Sequence, residues 1–115
     1  MDIVVEVGPG RLVYRIAPGG TCEIVDIEVA SEHRGQGIGR RLIEQLFSRL
    51  HNLPPGPDGR KVTTVYAITR AENEIAQEFY EHCRFRVVGV LRRFYTDRRA
   101  GVDAVVYGRG INGVV

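Results

Sequence analysis

The chain has 115 residues, 43% of them hydrophobic and 26% charged, with a formal net charge of +2. This length predicts one domain over residues 1–115, and the small net charge argues against nucleic acid or an anionic membrane as a partner. The two cysteines and three histidines lack disulfide and metal-ligand spacing, so we expect no metal. The sequence has no transmembrane run and no signal peptide, and two cysteines are too few for a disulfide framework, so we expect a cytoplasmic protein.

Turn signals divide the first half of the chain into three strands and a helix. DIVVEV, RLVYRIA and CEIVDIEVA are separated by glycine-containing turns at 8–10 and 18–21, which predicts an antiparallel meander. Apolar residues at helical spacing from Ile38 to Leu50 then predict a helix. It should end before HNLPPGPDGRK, a segment with three prolines.

The second half predicts a strand, a helix and a closing hairpin. VTTVYAI is β-branched and aromatic, as strands are. AENEIAQEFYEHC predicts a helix with Ile75, Ala76, Phe79 and Cys83 on its buried side, and FRVVGVLRRFY with GVDAVVYGRGI predicts the hairpin. The order β-β-β-α-β-α-β-β makes an α+β domain on a mixed, mostly antiparallel sheet.

Three glycines, Gly35, Gly37 and Gly39, stand at the start of the first helix. Each costs roughly 0.5–1 kcal/mol in a regular element, which indicates that something approaches the backbone closely. A helix N-terminus carries about half a positive charge and unpaired N–H groups, so this is a candidate diphosphate site, flanked by Arg34 and Arg40. Neither a Rossmann fingerprint nor a P-loop fits the residues around Arg40. The alternative is a turn whose glycines serve only helix packing.

Two motifs resemble those of one family. RGQGIG resembles the Arg/Gln-x-x-Gly-x-Gly/Ala signature of the GNAT superfamily of acyl-CoA-dependent N-acetyltransferases, and DIEVASEH resembles the strand before it. NEIAQEFYEHCRF is similar to the family's Asn-x-x-Ala-x-x-Leu-Tyr-x-x-x-Gly-Phe helix, with Phe79 in place of the leucine. The matching positions are Asn73, Ala76, Tyr80 and Phe85. The tail is similar to that of bacterial N-terminal (ribosomal-protein) acetyltransferases.

The resemblance implies acetyl-CoA as co-substrate and a sheet that splays apart where it binds. The pantetheine arm would bond to the backbone of Ile27 and Val29, and Asn73 would contact the cofactor. The diphosphate would lie on the backbone amides of Arg34, Gly35, Gln36, Gly37, Ile38, Gly39 and Arg40.

The resemblance also implies catalytic residues. Tyr80 would be the acid that serves the leaving thiolate. Glu23 holds, relative to RGQG, the position of the catalytic Glu of the histone-type branch. Asp26 and Glu28, which strand alternation predicts on the opposite face from Glu23, and water are the alternative bases.

The chain departs from the family pattern in three places. It begins at a strand meander, where the family normally opens with a strand and two helices that wall the acceptor site. Arg84 replaces the glycine of Gly-Phe. Ile68 stands where the N-terminal acetyltransferase branch often has a glutamate, so that base is not available.

The expected activity is transfer of an acetyl group from acetyl-CoA to a primary amine of a protein N-terminus or a small molecule. The alternative is a non-catalytic acyl-CoA-binding regulatory module, which Ile68 favours. Nucleic-acid binding is disfavoured because the arginines are interleaved with acids. An uncovered sheet face where the opening helices would lie predicts a homodimer.

Overall fold

The computed structural model of the chain describes residues 1–112, and six strands and two helices follow one another in the predicted order. Their bounds are β1 Asp2–Val7, β2 Gly10–Ala17, β3 Thr21–Val29, α1 Ile38–His51, β4 Thr64–Arg70, α2 Glu74–His82, β5 Arg86–Tyr95 and β6 Val102–Gly110. A short 3-10 turn, Ser31–His33, joins β3 to the glycine loop.

All six strands form one sheet in the order β1-β2-β3-β4-β6-β5. Every neighbouring pair is antiparallel except β3 and β4, which are parallel. Parallel neighbours need a crossover connection, and α1 provides it. The α+β class and the mixed, mostly antiparallel sheet are therefore confirmed.

The parallel pair is much shorter than its two strands. It runs only from Thr21 opposite Thr64 to Ile24 opposite Ala67, whereas β3 continues to Val29 and β4 to Arg70. Residues 25–29 of β3 therefore have an edge with no strand beside it. This V-shaped opening, which we call the slot, confirms the predicted splay.

Both helices pack on the same face of the sheet. The buried stripe of α1 and the rings of Tyr80 and Phe85 belong to one hydrophobic cluster with side chains of β1 to β4 and β6. The helices meet at Gly39, where a Cβ atom would lie only 2.8 Å from Cε1 of Phe79. Close helix packing is therefore a sufficient reason for this glycine.

The prediction for the buried side of α2 was wrong at one position. Ile75 is 83% exposed, whereas Tyr80 and Cys83 are each only 5% exposed. Ile75 is the second residue of a helix of only nine residues, and the core contacts of α2 lie in its second half. Within residues 1–112, neither helix is long and apolar enough to cross a membrane, and no three His, Cys, Asp or Glu side chains gather as metal ligands would.

Candidate functional site

The first wall of the slot is the unpaired edge of β3. Ile27 and Val29 lie on this segment and pair with β2 on their other side. A strand edge of this kind offers backbone donors and acceptors to an extended ligand. The carbonyl of Val29 accepts a hydrogen bond from Nε of Arg34 at 3.2 Å, so the arginine side chain folds back over the end of the strand.

The glycine loop lies at the end of this wall and leads into α1. Gly35 and Gly37 have φ values of 80° and 77°, a region that non-glycine residues rarely adopt. A Cβ at either glycine would meet nothing within 4 Å. Backbone conformation, and not crowding, therefore explains both residues, in contrast to Gly39.

Several backbone N–H groups of the loop and the first turn of α1 are available to a ligand. The first helical hydrogen bond runs from the N–H of Arg41 to the carbonyl of Gly37 at 3.1 Å. The N–H groups of Ile38, Gly39 and Arg40 thus have no helical acceptor, as at any helix start, and Gln36 is exposed beside them. The N–H of Arg34 differs, because it donates to the carbonyl of Ser31 at 3.4 Å.

Asn73 lies at the start of α2, which it caps. Its Oδ1 accepts a hydrogen bond from the N–H of Ala76 at 3.1 Å. Gln77 fixes the preceding turn by donating to the carbonyls of Arg70 and Ala71. Capping explains Asn73 structurally, and its amide NH₂ is the group with which it could donate to a ligand.

Tyr80 lies in the core between the two helices and the sheet. Its ring makes edge contacts with Phe79 and Phe85 at 5.3 Å each and stacks on Tyr107 at 5.8 Å. Burial is the main reason that the pKa of Tyr80 is raised, and the charges of Cys83 and Asp26 add to the shift. The phenol therefore keeps its proton at neutral pH.

The three candidate carboxylates of β3 lie on one face of the sheet, so the predicted alternation was wrong. Asp26 pairs with Val13 and Ile24 pairs with Tyr14, which leaves Val25 as an extra residue in β3. Such a bulge reverses the alternation beyond it. Asp26 and Glu28 are thereby brought to the same face as Glu23, opposite the helices.

The carboxylates differ in their position relative to the slot. Glu23 lies within the paired part of β3, between Arg15 of β2 and Tyr66 of β4. Asp26 lies beyond the last pair with β4, where the slot has opened. Asp26 thus borders the slot, whereas Glu23 does not.

An ion-pair network at the end of β4 was missed by the sequence analysis. Arg70 pairs with Glu72 at 3.0 Å and with Asp97 at 3.0 Å, and Arg98 pairs with Glu72 at 2.9 Å. The guanidinium of Arg70 also lies 4.6 Å from the ring centroid of Tyr95. The network ties the β5–β6 connection to the entrance of α2, across a separation in sequence that no local motif reports.

Comparison with known proteins gives a family match over most of the chain. Residues 4–85 match the model of the acetyltransferase (GNAT) family. The matched segment contains all of the meander except its first two residues, and it contains the slot, the glycine loop and α2. It also contains every residue that the sequence analysis selected as catalytic or cofactor-binding.

Individual relatives give the same result. The chain is 33% identical over 87 residues to N-alpha-acetyltransferase RimI of Mycobacterium tuberculosis, covering 76% of this chain and 48% of that protein. The crystal structure of the ribosomal-protein-S18-alanine N-acetyltransferase from Escherichia coli superimposes with a TM-score of 0.71 at 24% identity, over 90% of this chain and 61% of that one.

A second similar structure contains a bound co-substrate. Arabidopsis thaliana NAA60 in complex with acetyl-CoA superimposes with a TM-score of 0.69 at 22% identity, covering 91% of this chain and 66% of that one. At these identities the structures show a common fold. The chain spans about half the length, or less, of the curated relatives it matches.

Proposed function

Because the chain belongs to the GNAT family of acetyltransferases, we propose that it transfers the acetyl group of acetyl-CoA to a primary amine. The observation that carries this proposal is the slot. The slot has an unpaired strand edge and a glycine loop with available amides, and in the proposal the protonated Tyr80 serves the same opening. These are the groups needed to bind an extended thioester with a diphosphate and to assist its leaving thiolate.

The residues around the slot fit acetyl-CoA. In the proposal, the backbone of Ile27 and Val29 bonds to the pantetheine arm, and Asn73 donates its amide to the cofactor. The amides of residues 35–40 hold the diphosphate, and Arg34 lies at the junction of the two subsites because its side chain reaches Val29. The cofactor supplies an activated thioester, whose carbonyl carbon an amine can attack.

The proposed role of Tyr80 is to donate to the sulfur that leaves. A thiol has an ordinary pKa near 8.5 and a tyrosine near 10, and burial raises the pKa of Tyr80 further. Complete proton transfer from Tyr80 to the thiolate is therefore uphill. A hydrogen bond that stabilises the developing negative charge is the role that this pKa favours.

The proposed acceptor is an α-amine, such as a protein or peptide N-terminus. An α-amine with a pKa near 8 costs about 1.4 kcal/mol to deprotonate at pH 7, whereas a lysine costs about 4.6 kcal/mol. Because Ile68 replaces the glutamate often found on this strand in the N-terminal branch, this chain lacks that base. The α-amine, which costs less free energy to deprotonate, is therefore the better acceptor. The N-alpha-acetyltransferase name of the Mycobacterium relative supports the same choice.

The proposal is tested by release of free thiol from acetyl-CoA with a panel of amines. The panel pairs each peptide bearing a free α-amine with the same peptide blocked at its N-terminus but carrying a lysine. We expect turnover with the free α-amine and little with lysine. Binding of coenzyme A without turnover on any amine would instead support the non-catalytic acyl-CoA-binding module.

The proposed base is Asp26, with Glu23 as the alternative that the family resemblance implies. If Asp26 accepts the proton of the acceptor, Asp26→Asn should lower kcat/KM about tenfold at pH 7, where only about one-tenth of an α-amine is neutral. The deficit should nearly disappear at pH 9, because the amine is then already neutral. The measurement is a pH profile of kcat/KM with one α-amine peptide.

Two matched carboxylate-to-amide changes control this experiment. Glu23→Gln and Glu28→Gln remove charge from the same face of β3. A larger loss of kcat/KM in Glu23→Gln than in Asp26→Asn would show that Glu23 is the base. Equal kcat/KM in all three variants would show that water accepts the proton.

We also propose that this chain forms a homodimer through β5. This strand is an edge of the sheet, and it exposes apolar side chains on both faces, namely Val87, Val88, Val90, Leu91 and Phe94. Such an edge is a template for pairing with a second strand. Light scattering at high micromolar concentration should give twice the chain mass of 12.9 kDa, and Val90→Lys should give the single mass. A monomeric wild type would refute the proposal.

A further inference from the structure

A basic pocket lies between the two helices, beside the glycine loop but separate from the slot. Its volume is about 140 Å³, several times what one water needs. The charged lining groups come from three elements: Arg40 and Glu44 of α1, Arg84 just after α2, and Arg109 of β6. Three guanidinium groups and one carboxylate give the lining an excess of two positive charges. The carboxylate of Glu44 pairs with Arg40 at 3.5 Å, so the charges of Arg84 and Arg109 have no carboxylate of the lining left to pair with.

Arg109 is held in this pocket with part of its donor capacity unused. Its Nη1 donates to the carbonyl of Cys83 at 3.0 Å, and its guanidinium lies 4.0 Å from the ring centroid of Phe47. Its Nε is buried and has no hydrogen-bond partner among residues 1–112. Burial and the neighbouring charge of Arg84 lower the pKa of Arg109. An anion would accept a hydrogen bond from Nε of Arg109, and it would offset the repulsion between the guanidinium groups of Arg84 and Arg109.

Arg84 occupies a backbone conformation that favours glycine. Its φ is 68°, and its N–H donates to the carbonyl of Glu81 at 3.0 Å, which closes the end of α2. Helices commonly end with glycine in this conformation. The chain therefore keeps a strained residue here, and that residue brings a third positive charge to the pocket.

We propose that this pocket binds a phosphomonoester dianion through Arg40, Arg84 and Arg109. Arg40 belongs to both sites, because its N–H lies at the start of α1 and its side chain lines the pocket. A ligand whose diphosphate lies on the glycine loop could thus extend a phosphate into the pocket. This assignment rests on the proposed function, under which the phosphate in the pocket is the 3′-phosphate of coenzyme A. Free inorganic phosphate is the alternative ligand.

Arg84→Gly is a suitable test because it removes the charge and relieves the backbone strain together. Its melting temperature should rise by a few degrees, since glycine suits this φ. Calorimetric titrations should show that the wild type binds coenzyme A about tenfold more tightly than dephospho-coenzyme A, which lacks the 3′-phosphate. Arg84→Gly should bring this ratio close to one without weakening dephospho-coenzyme A. Arg99→Gln, which removes an exposed charge on the β5–β6 connection, should keep the ratio.

Titration with inorganic phosphate separates the two sources. A wild-type ratio of one, together with phosphate binding that Arg84→Gly abolishes, would support the pocket with a separate phosphate as its ligand. Phosphate binding without affinity for either coenzyme would support the pocket and refute the acetyltransferase proposal. The pocket proposal is overturned if the wild type shows neither the preference nor phosphate binding, or if Arg84→Gly changes neither. The last result would leave Arg84 only a role at the end of α2.

Discussion

Replacing Tyr80 with phenylalanine should reduce turnover by about 10²–10³-fold, the usual loss when one hydrogen-bond donor to a developing negative charge is removed. The ring and its contacts with Phe79, Phe85 and Tyr107 remain, so binding of coenzyme A should hardly change. Because burial raises the pKa of Tyr80 above its ordinary value, loss of its proton should not lower the wild-type rate below a pH of about 10. The measurement is kcat with a good α-amine acceptor, alongside the dissociation constant of coenzyme A.

Tyr14→Phe is the matched control for this change. Tyr14 and Tyr80 are each 5% exposed, but Tyr14 lies on β2, with β3 between it and the slot. It should keep wild-type turnover. If Tyr80→Phe also keeps wild-type turnover, the donor to the leaving sulfur is another residue, and Tyr95, which contacts Arg70 at the end of β4, is the next to remove.

Replacing Gly37 with valine should abolish the stabilisation that coenzyme A gives the fold. At a ligand concentration of one hundred times its dissociation constant, the wild type should gain about 2.7 kcal/mol in free energy of unfolding. A Cβ at Gly37 meets no protein atom within 4 Å. The added side chain therefore enters the open space before α1, where the proposed diphosphate lies, and the thermal shift with coenzyme A should disappear.

Gly59→Val controls for the backbone strain of this substitution. Gly59 has a φ of 76°, against 77° for Gly37, and a Cβ there also meets nothing within 4 Å. Both variants should lose about 1–2 kcal/mol of stability. Gly59 lies in the loop before β4, at the end of the sheet away from the slot, so its variant should keep the shift. A full shift in Gly37→Val would refute the diphosphate site.

Local patterns in the sequence predicted the elements well. The helix predicted over 38–50 extends over Ile38–His51, because its apolar stripe and the following prolines are local signals. The order of the last strands was not predicted, because β6 inserts between β4 and β5 through pairing between distant segments. The ends of α2 were also weakly specified, and Ile75 was assigned to the core on spacing alone.

The site was predicted less completely than the fold, for reasons that differ between residues. The glycine loop is a contiguous motif, and it lies where the motif predicted. The face of Asp26 depends on the register of β3 against β2, and one extra residue at Val25 reverses it. Gly39 was assigned to the diphosphate, but its contact with Phe79 could only be known once the helices were packed.

The short β3–β4 pairing has a consequence for how the domain responds to a ligand. The sheet consists of two three-stranded halves, each with its own helix, whose backbones pair at only four residue pairs and whose side chains share one core beneath the helices. A ligand chain lying along residues 25–29 would continue the interrupted hydrogen-bond ladder. Part of its binding free energy would then stabilise the association of the two halves. Occupancy of the slot would thus make the domain a more cooperative folding unit than the free chain is.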